Sequence, residues 1–394
     1  MLKLTAGKHS AELHAKLAAL DCCVLIRFDP IHRNSRVMQV DLVKSCMRTI
    51  FNIPENRDFM WSGYPSEPIL AEAVARILNH STSSFMYSAP EILESALNTG
   101  LLARGERGEL VARTLFTVAH DIAILASYPD VPPGPRFHRP LKFVTLLEHL
   151  LAPDIWTVVR NAQAFHAYSG GLTLENAFHN AWVNFSHFVQ LGDHASFTLH
   201  CASELLKRGV AIQTFDNQYN MDGGLPLFFS DPDKNVIIQQ ATSMAQYQVK
   251  NAASPIAVHP DPTLVGLSKK NLPIISIIMQ FGVEMKDGEQ VIVTTTPKNT
   301  NTPAGNTRAA VQSRPTNLQH PADISQRHYI ITLYGCTSKT YCCIPNNLMS
   351  YSHILRAPKP FADFPRADSS DNASSLNALK PMIYDKGGIC MPWS

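Results

Sequence analysis

The chain has 394 residues, 45 % of them hydrophobic and 17 % charged, with 34 Lys and Arg against 32 Asp and Glu for a net charge of +2. That apolar share is ordinary for a globular fold, and the length suits one elaborated α/β domain with an N-terminal helical part. The near-neutral balance excludes a uniformly basic nucleic-acid binder, so any such surface must be local.

The N-terminal part reads as mainly helical to about residue 100. Residues 9 to 20 have a helical period, 22 to 28 read as a short strand, and 38 to 51 and 68 to 79 as amphipathic helices. Pro90 to Thr99 reads as another short helix. From Glu106 to about Ser127, Leu110, Val111, Leu115, Val118 and Ile122 share one face, which predicts a long helix. Glu109 and Arg113 stand four apart on it. That spacing allows a surface ion pair as well as a ligand role for Glu109. The proline-rich run 129 to 140 cannot continue a helix. Helices are predicted again at 141 to 151, 153 to 165, 174 to 191 and 193 to 207, a helical insertion that closes at Arg208-Gly209.

Strand signals follow at 210 to 216, 222 to 229, within 236 to 250, and at 273 to 282. Residues 295 to 326 are poor in apolar side chains and read as a flexible loop. A strand from Tyr329 to Tyr334 and a helix near 346 to 355 close the domain, and a polar tail runs from 356 to 394. The order of helices and strands predicts an α/β core with a mixed sheet.

The segment with the most chemistry is the pair of strands around Asp222 and Gln246 to Asn251. Ser230 to Asn235 supplies a cluster of turn residues between them. Side chains alternate along a strand, so Gln246, Gln248 and Lys250 fall on one face and Tyr247 and Val249 on the other. A hairpin of this kind brings an acid, an amide and a lysine to one sheet edge. An acid that holds a cation and a lysine that steadies water or phosphate are what metal-assisted phosphodiester cleavage needs.

The aspartate, the hairpin and Gln248-x-Lys250 resemble the PD-(D/E)XK, or restriction-endonuclease-like, superfamily. In that superfamily a preceding helix supplies a further acid, and Glu109 matches that place. The runs Tyr64 to Ala73, Gly108 to Leu115 and Ala181 to Phe188 are also similar to proteins of basidiomycete fungi, over most of residues 60 to 355. The resemblance implies a mixed sheet flanked by helices, and magnesium or manganese held by Glu109, Asp222 and Gln248. It implies Lys250 as the residue that steadies the water or the phosphate and polarises the attack on phosphorus, and nucleic acid as the partner. Gln248 departs from the usual acid, as in Mrr-type restriction enzymes, and removes one negative charge from the metal site. A neutral amide is a poorer magnesium ligand than a carboxylate. A nuclease-like domain without catalysis that binds nucleic acid or protein, and an interaction protein that works through its helical block, are the other readings.

Eight cysteines show neither C-x-x-C nor zinc-finger spacing. The first residues lack the apolar core of a signal peptide, and no apolar run reaches membrane-spanning length. The expectation is an intracellular protein, cytoplasmic or nuclear, with free thiols and no membrane partner. His179, His187, His194 and His200 lack the three- or four-residue spacing of ligands on a helix and read as structural. No glycine-rich phosphate loop and no G-x-S-x-G elbow occurs.

Overall fold

In the computed structural model the described residues are 13–29, 33–56, 60–80, 85–98, 101–102, 106–130, 134–164, 171–192, 198–215, 220–234, 237, 239–261, 272–286, 288–294, 328–346, 348–356, 383–384 and 390–391. The chain divides into two compact units, 1–355 and 356–394. The expected flexible loop at 295 to 326 lies outside the described residues.

The first unit opens with α1 (Leu13–Val24) and α2 (Arg33–Ser45), followed by the antiparallel pair β1 (Thr49–Asn52) and β2 (Trp61–Gly63). Next come α3 (Pro68–His80), α4 (Phe85–Asn98) and α5 (Arg107–Ser127). Two expectations shift here. Cys22 and Cys23 finish α1 rather than start a strand. Leu25 turns the chain at positive φ, and Phe28 makes a lone bridge to Leu102. The helix expected to reach residue 51 stops at Ser45, because Thr49, Ile50 and Asn52 pair with β2. A buried ion pair, Asp21 with Arg48, ties α1 to this hairpin, and Arg48 Nε donates to Ser62 Oγ at 2.9 Å.

α5 is the central helix. Leu110, Val111, Leu115, Val118, Ala119 and Ala123 are buried, and so are Arg113, Thr114, His120 and Asp121. Arg113 is fully buried; its Nε donates to Val24 O at 2.7 Å and its Nη2 to Leu25 O at 3.0 Å. Among the described residues α5 is the one helix long and apolar enough to cross a bilayer, and 78 % of that stretch is buried inside the protein. Packing on all sides accounts for its apolar composition.

The proline-rich connector is held by one carboxylate on α3. Glu72 accepts from the backbone N–H groups of Arg136 (2.7 Å), Phe137 (2.8 Å) and His138 (2.9 Å). After it come β3 (Leu141–Lys142), α6 (Phe143–Leu150), α7 (Pro153–Arg160), α8 (Leu174–Phe178), β4 (Trp182–Val183), β5 (His187–Gln190) and α9 (Leu199–Arg208). The stretch 174 to 191 is thus helical only over its first five residues. Its aromatic and β-branched continuation pairs as strand instead. His187 on β5 is buried between two serines, with Ser66 Oγ 2.9 Å from Nε2 and Ser186 Oγ 3.1 Å from Nδ1. Burial, followed by the nearby His138 and Arg208 charges, lowers its pKa to about 4. Gly209 (φ 62°) caps α9 in the left-handed conformation that favours glycine.

The main sheet is completed by β6 (Val210–Gln213), β7 (Gly223–Phe228), β8 (Thr242–Lys250), β9 (Ile274–Gln280), β10 (Val291–Val293) and β11 (His328–Tyr334). A helix, α10 (Ser350–Arg356), follows β11. The order is β10-β11-β9-β8-β7-β4-β3, with β6 also on β7 and β5 on β6. β8, β9 and β11 run parallel, while β7 and β8 form the expected antiparallel hairpin. The far edge of β7 forks: β6 takes Gly223 and Gly224, and β4 takes Leu227 and Phe228. The result is a mixed α/β fold. Strands β7, β9 and β11 are buried along their whole length because both faces are covered. α5 covers one face, with Phe116 5.1 Å from the Tyr247 ring. α9 covers part of the other, where Ala202 and Leu205 cluster with Ile212, Met244 and Ile274. In the second unit β12 (Ile383–Tyr384) pairs antiparallel with β13 (Cys390–Met391).

Candidate functional site

Asp222 stands one residue before β7, where the β7–β8 ladder ends at the Gly223–Tyr247 pair. Its backbone N–H donates to Tyr247 O at 3.0 Å, and its carbonyl accepts from Thr214 N at 3.0 Å. Its side chain then continues the ladder: Oδ2 accepts from Val249 N at 2.6 Å. The carboxylate is thereby held at the edge of the strand ladder, within reach of charges from both faces of the sheet. Burial raises its pKa to about 6. The Val249 N–H opposes that rise, the Glu109 charge adds to it, and the Lys250 and Arg113 charges oppose it.

Glu109 reaches this edge because α5 lies close on the sheet. A Cβ at Gly108 would stand 2.9 Å from Val249 Cγ1, so glycine permits the approach of the helix's first turn. Glu109 Oε2 accepts from Gln213 Nε2 at 2.7 Å, and Arg113 Nη1 lies 3.8 Å from the same oxygen. Glu109 thus contacts Arg113, which is buried rather than at the surface, and its charge acts on Asp222.

The strand faces divide the remaining residues. Tyr247 and Val249 meet α5. Gln248 and Lys250 pair with Ile278 and Gln280 on β9 and alternate to the opposite face. A site shared by Glu109, Gln248 and Lys250 requires α5 on the face that carries Gln248 and Lys250; α5 packs on the other one. Lys250, at the end of β8, is still close enough to lower the Asp222 pKa. The structure thus brings Glu109, Arg113 and Lys250 within electrostatic reach of the Asp222 carboxylate and leaves Gln248 across the sheet from Glu109. Gln248 is buried there with Oε1 lacking a hydrogen-bond partner. Further along the same face, Gln246 Nε2 donates to Ser276 Oγ at 2.5 Å, and Ser276 Oγ lies 2.6 Å from His328 Nε2.

Sequence reasoning missed Gln213 and Tyr247. Gln213 is 2 % exposed at the end of β6, an amide after the apolar run Val210, Ala211, Ile212, and that interruption was its only signal. Tyr247 lies across Gly223, where an added Cβ would collide with its hydroxyl and with the Ile212 carbonyl. Its hydroxyl is buried without a hydrogen-bond partner. Burial first, then the charges of Glu109 and Asp222, push its pKa up against the opposing Arg113.

A divalent cation fits this edge in part. The Glu109 charge acts on the Asp222 carboxylate, and amide oxygens without hydrogen-bond partners lie on either side of the sheet. Among the described residues no cluster of three or more His, Cys, Asp and Glu could hold a metal, so a cation here would rest on two carboxylates with neutral oxygens added.

A family model described as "Domain of unknown function (DUF8736)" matches residues 8–128. That span runs through α5 and includes Glu109, while Asp222, Gln248 and Lys250 lie beyond it. No curated protein matches the chain, and no solved structure matches it.

Proposed function

We propose that this chain is a metal-dependent nuclease of restriction-endonuclease-like fold that cleaves phosphodiester bonds in nucleic acid. The observation that carries the reading is Asp222, a partly buried carboxylate at a sheet edge, its pKa raised by the Glu109 charge and countered by Lys250. Buried acids with raised pKa values and specific charge partners concentrate at functional sites. Glu109 and Asp222 would hold magnesium or manganese. When bound, such a cation neutralises phosphate charge and lowers the pKa of water.

The chain's own residues have separable tasks. Asp222 releases its proton near pH 6, so the pair acquires the charge a cation requires at neutral pH. The Val249 N–H fixes the direction of the carboxylate, and Gln213 fixes that of Glu109. Lys250 offers an ammonium to the phosphate from the other face. The described cysteines are free thiols, which suits action in the cytoplasm or nucleus.

A melting-temperature titration tests the metal site. Millimolar magnesium or manganese should stabilise the wild type and leave Asp222→Asn unmoved, because only a formed site gains stability from metal. Equal responses from the two proteins would refute the site. One observation favours a second reading, a nuclease-like domain that binds nucleic acid without cutting: the residue in the ligand position of the motif, Gln248, is neutral and faces away from α5. Binding in EDTA with a steep salt dependence, and no cleavage with metal, would select that reading.

A further inference from the structure

We propose that Gln213, rather than Gln248, is the amide ligand of this site: its Oε1 completes the oxygen set of Glu109 and Asp222 for a divalent cation. The inference rests on the metal-site reading above and names a residue outside the sequence motif.

Placement is the first argument. Gln213 pairs with Gly223, which pairs in turn with Tyr247, so the three form one row across β6, β7 and β8. Ile212 belongs to the cluster on the α9 side, and alternation sends Gln213 to the α5 side. Gly223 has no side chain, and the Tyr247 hydroxyl lies over it in this row. Asp222 is the next residue along the chain, and its carbonyl accepts from Thr214, the residue after Gln213. Gln213 is therefore adjacent to Asp222 in the ladder and hydrogen-bonded to Glu109 across the sheet–helix interface.

Orientation is the second argument. A carboxylate only accepts, so the group that Gln213 presents to Glu109 at 2.7 Å must be its NH₂. That fixes Oε1 as the free end of the amide. This oxygen is buried and has no hydrogen-bond partner. Buried polar atoms are normally paired, and an unpaired one needs a reason. Tyr247 Oη is buried without a hydrogen-bond partner as well, and Arg113 Nη1, which makes no hydrogen bond, stands 3.8 Å from Glu109 Oε2. Gln248 Oε1 is also unpartnered but lies on the face away from Glu109.

The test is calorimetric titration of the full chain with manganese, alongside thermal titration with magnesium. The proteins compared are wild type, Gln213→Ala, Gln213→Glu and Gln248→Ala. The expected result is a loss of roughly tenfold or more in affinity for Gln213→Ala, with Gln248→Ala within about twofold of wild type. Gln213→Glu should melt lower in EDTA, since it sets a third acid beside Glu109, and gain more than wild type when metal is added. That comparison decides the matter if Gln213→Ala does not fold. Wild-type affinity retained in Gln213→Ala, or an unchanged metal gain in Gln213→Glu, overturns this assignment and leaves the Glu109–Asp222 site standing. No metal binding by the wild type overturns both.

Discussion

The backbone N–H of Val249 donates to Asp222 Oδ2 at 2.6 Å, so a side chain continues the hydrogen-bond ladder where β7 stops. This contact determines what Asp222 can do. It pairs a partly buried carboxylate with a backbone donor, where an unpaired charge would be costly. The Glu109 charge raises the pKa of that carboxylate and the Lys250 charge lowers it.

Replacing Asp222 by Asn should stabilise the metal-free protein at neutral pH. The folded pKa is about 6, above the ordinary aspartate value. Between those values the folded state holds more protons than the unfolded state, so this group's contribution is full below about pH 4 and is lost as pH rises through 6. Asn keeps an acceptor for Val249. The expected gain is roughly 1–3 kcal/mol at pH 7 and near zero at about pH 4, read from urea midpoints at both. A variant less stable than wild type at pH 7 would show that the charge is not buried at a cost.

His187 should act in the opposite direction. Its pKa is lowered to about 4 by burial. The unfolded chain therefore takes up the proton first, and the stability present above about pH 6.5 is lost as pH falls toward 4. Gln in its place retains one hydrogen-bonding end and cannot charge. The wild type should lose roughly 2–3 kcal/mol relative to His187→Gln between about pH 7.5 and 4.5. Parallel pH profiles for the two proteins would contradict the burial of a neutral imidazole.

Gly223→Ala should cost roughly 1–3 kcal/mol or more by overpacking. The new methyl would meet the Tyr247 hydroxyl, which could swing, and the Ile212 carbonyl, which belongs to the ladder. The denaturation midpoint should fall with a preserved m-value. A neutral result would mean that β6 and β7 separate more readily than their pairing implies.

Glu72→Gln should loosen the connector that enters β3. One carboxylate serves three backbone donors, and an amide has a single accepting oxygen. A loss of roughly 1.5–3 kcal/mol is expected, with new protease cleavage between residues 129 and 140. Unchanged proteolysis would show that the connector does not depend on Glu72.

α5 and the strands around Asp222 were legible in the sequence because their signals are local. Leu110, Val111, Leu115 and Val118 repeat at helical spacing, and the turn residues at 230 to 235 separate two strand patterns. The strands β4 and β5 were not, because they are short and find partners far along the chain, on β3, β7 and β6. Their aromatic residues continue the apolar pattern of α8, so periodicity alone extended the helix through them. The face that α5 covers was equally hidden. β8 is buried on both faces, so alternation sorted Tyr247 from Gln248 without saying which would meet the helix. The polar trio Gln246, Gln248 and Lys250 suggested a site, whereas apolar packing of Phe116 on Tyr247 placed α5 on the other side. Gln213 escaped for the same reason: its partner Glu109 belongs to a helix that precedes it by several elements.

Metal-dependent phosphodiester cleavage is proposed at the Glu109–Asp222 edge. Its most direct test incubates the purified chain with labelled single- and double-stranded DNA and RNA, with magnesium, with manganese and with EDTA. Cleavage of at least one substrate is expected with metal, none in EDTA, and loss of cleavage in Asp222→Asn and Lys250→Ala while both variants remain folded. No cleavage of any substrate by the wild type, together with a melting temperature unmoved by millimolar magnesium or manganese, would contradict it.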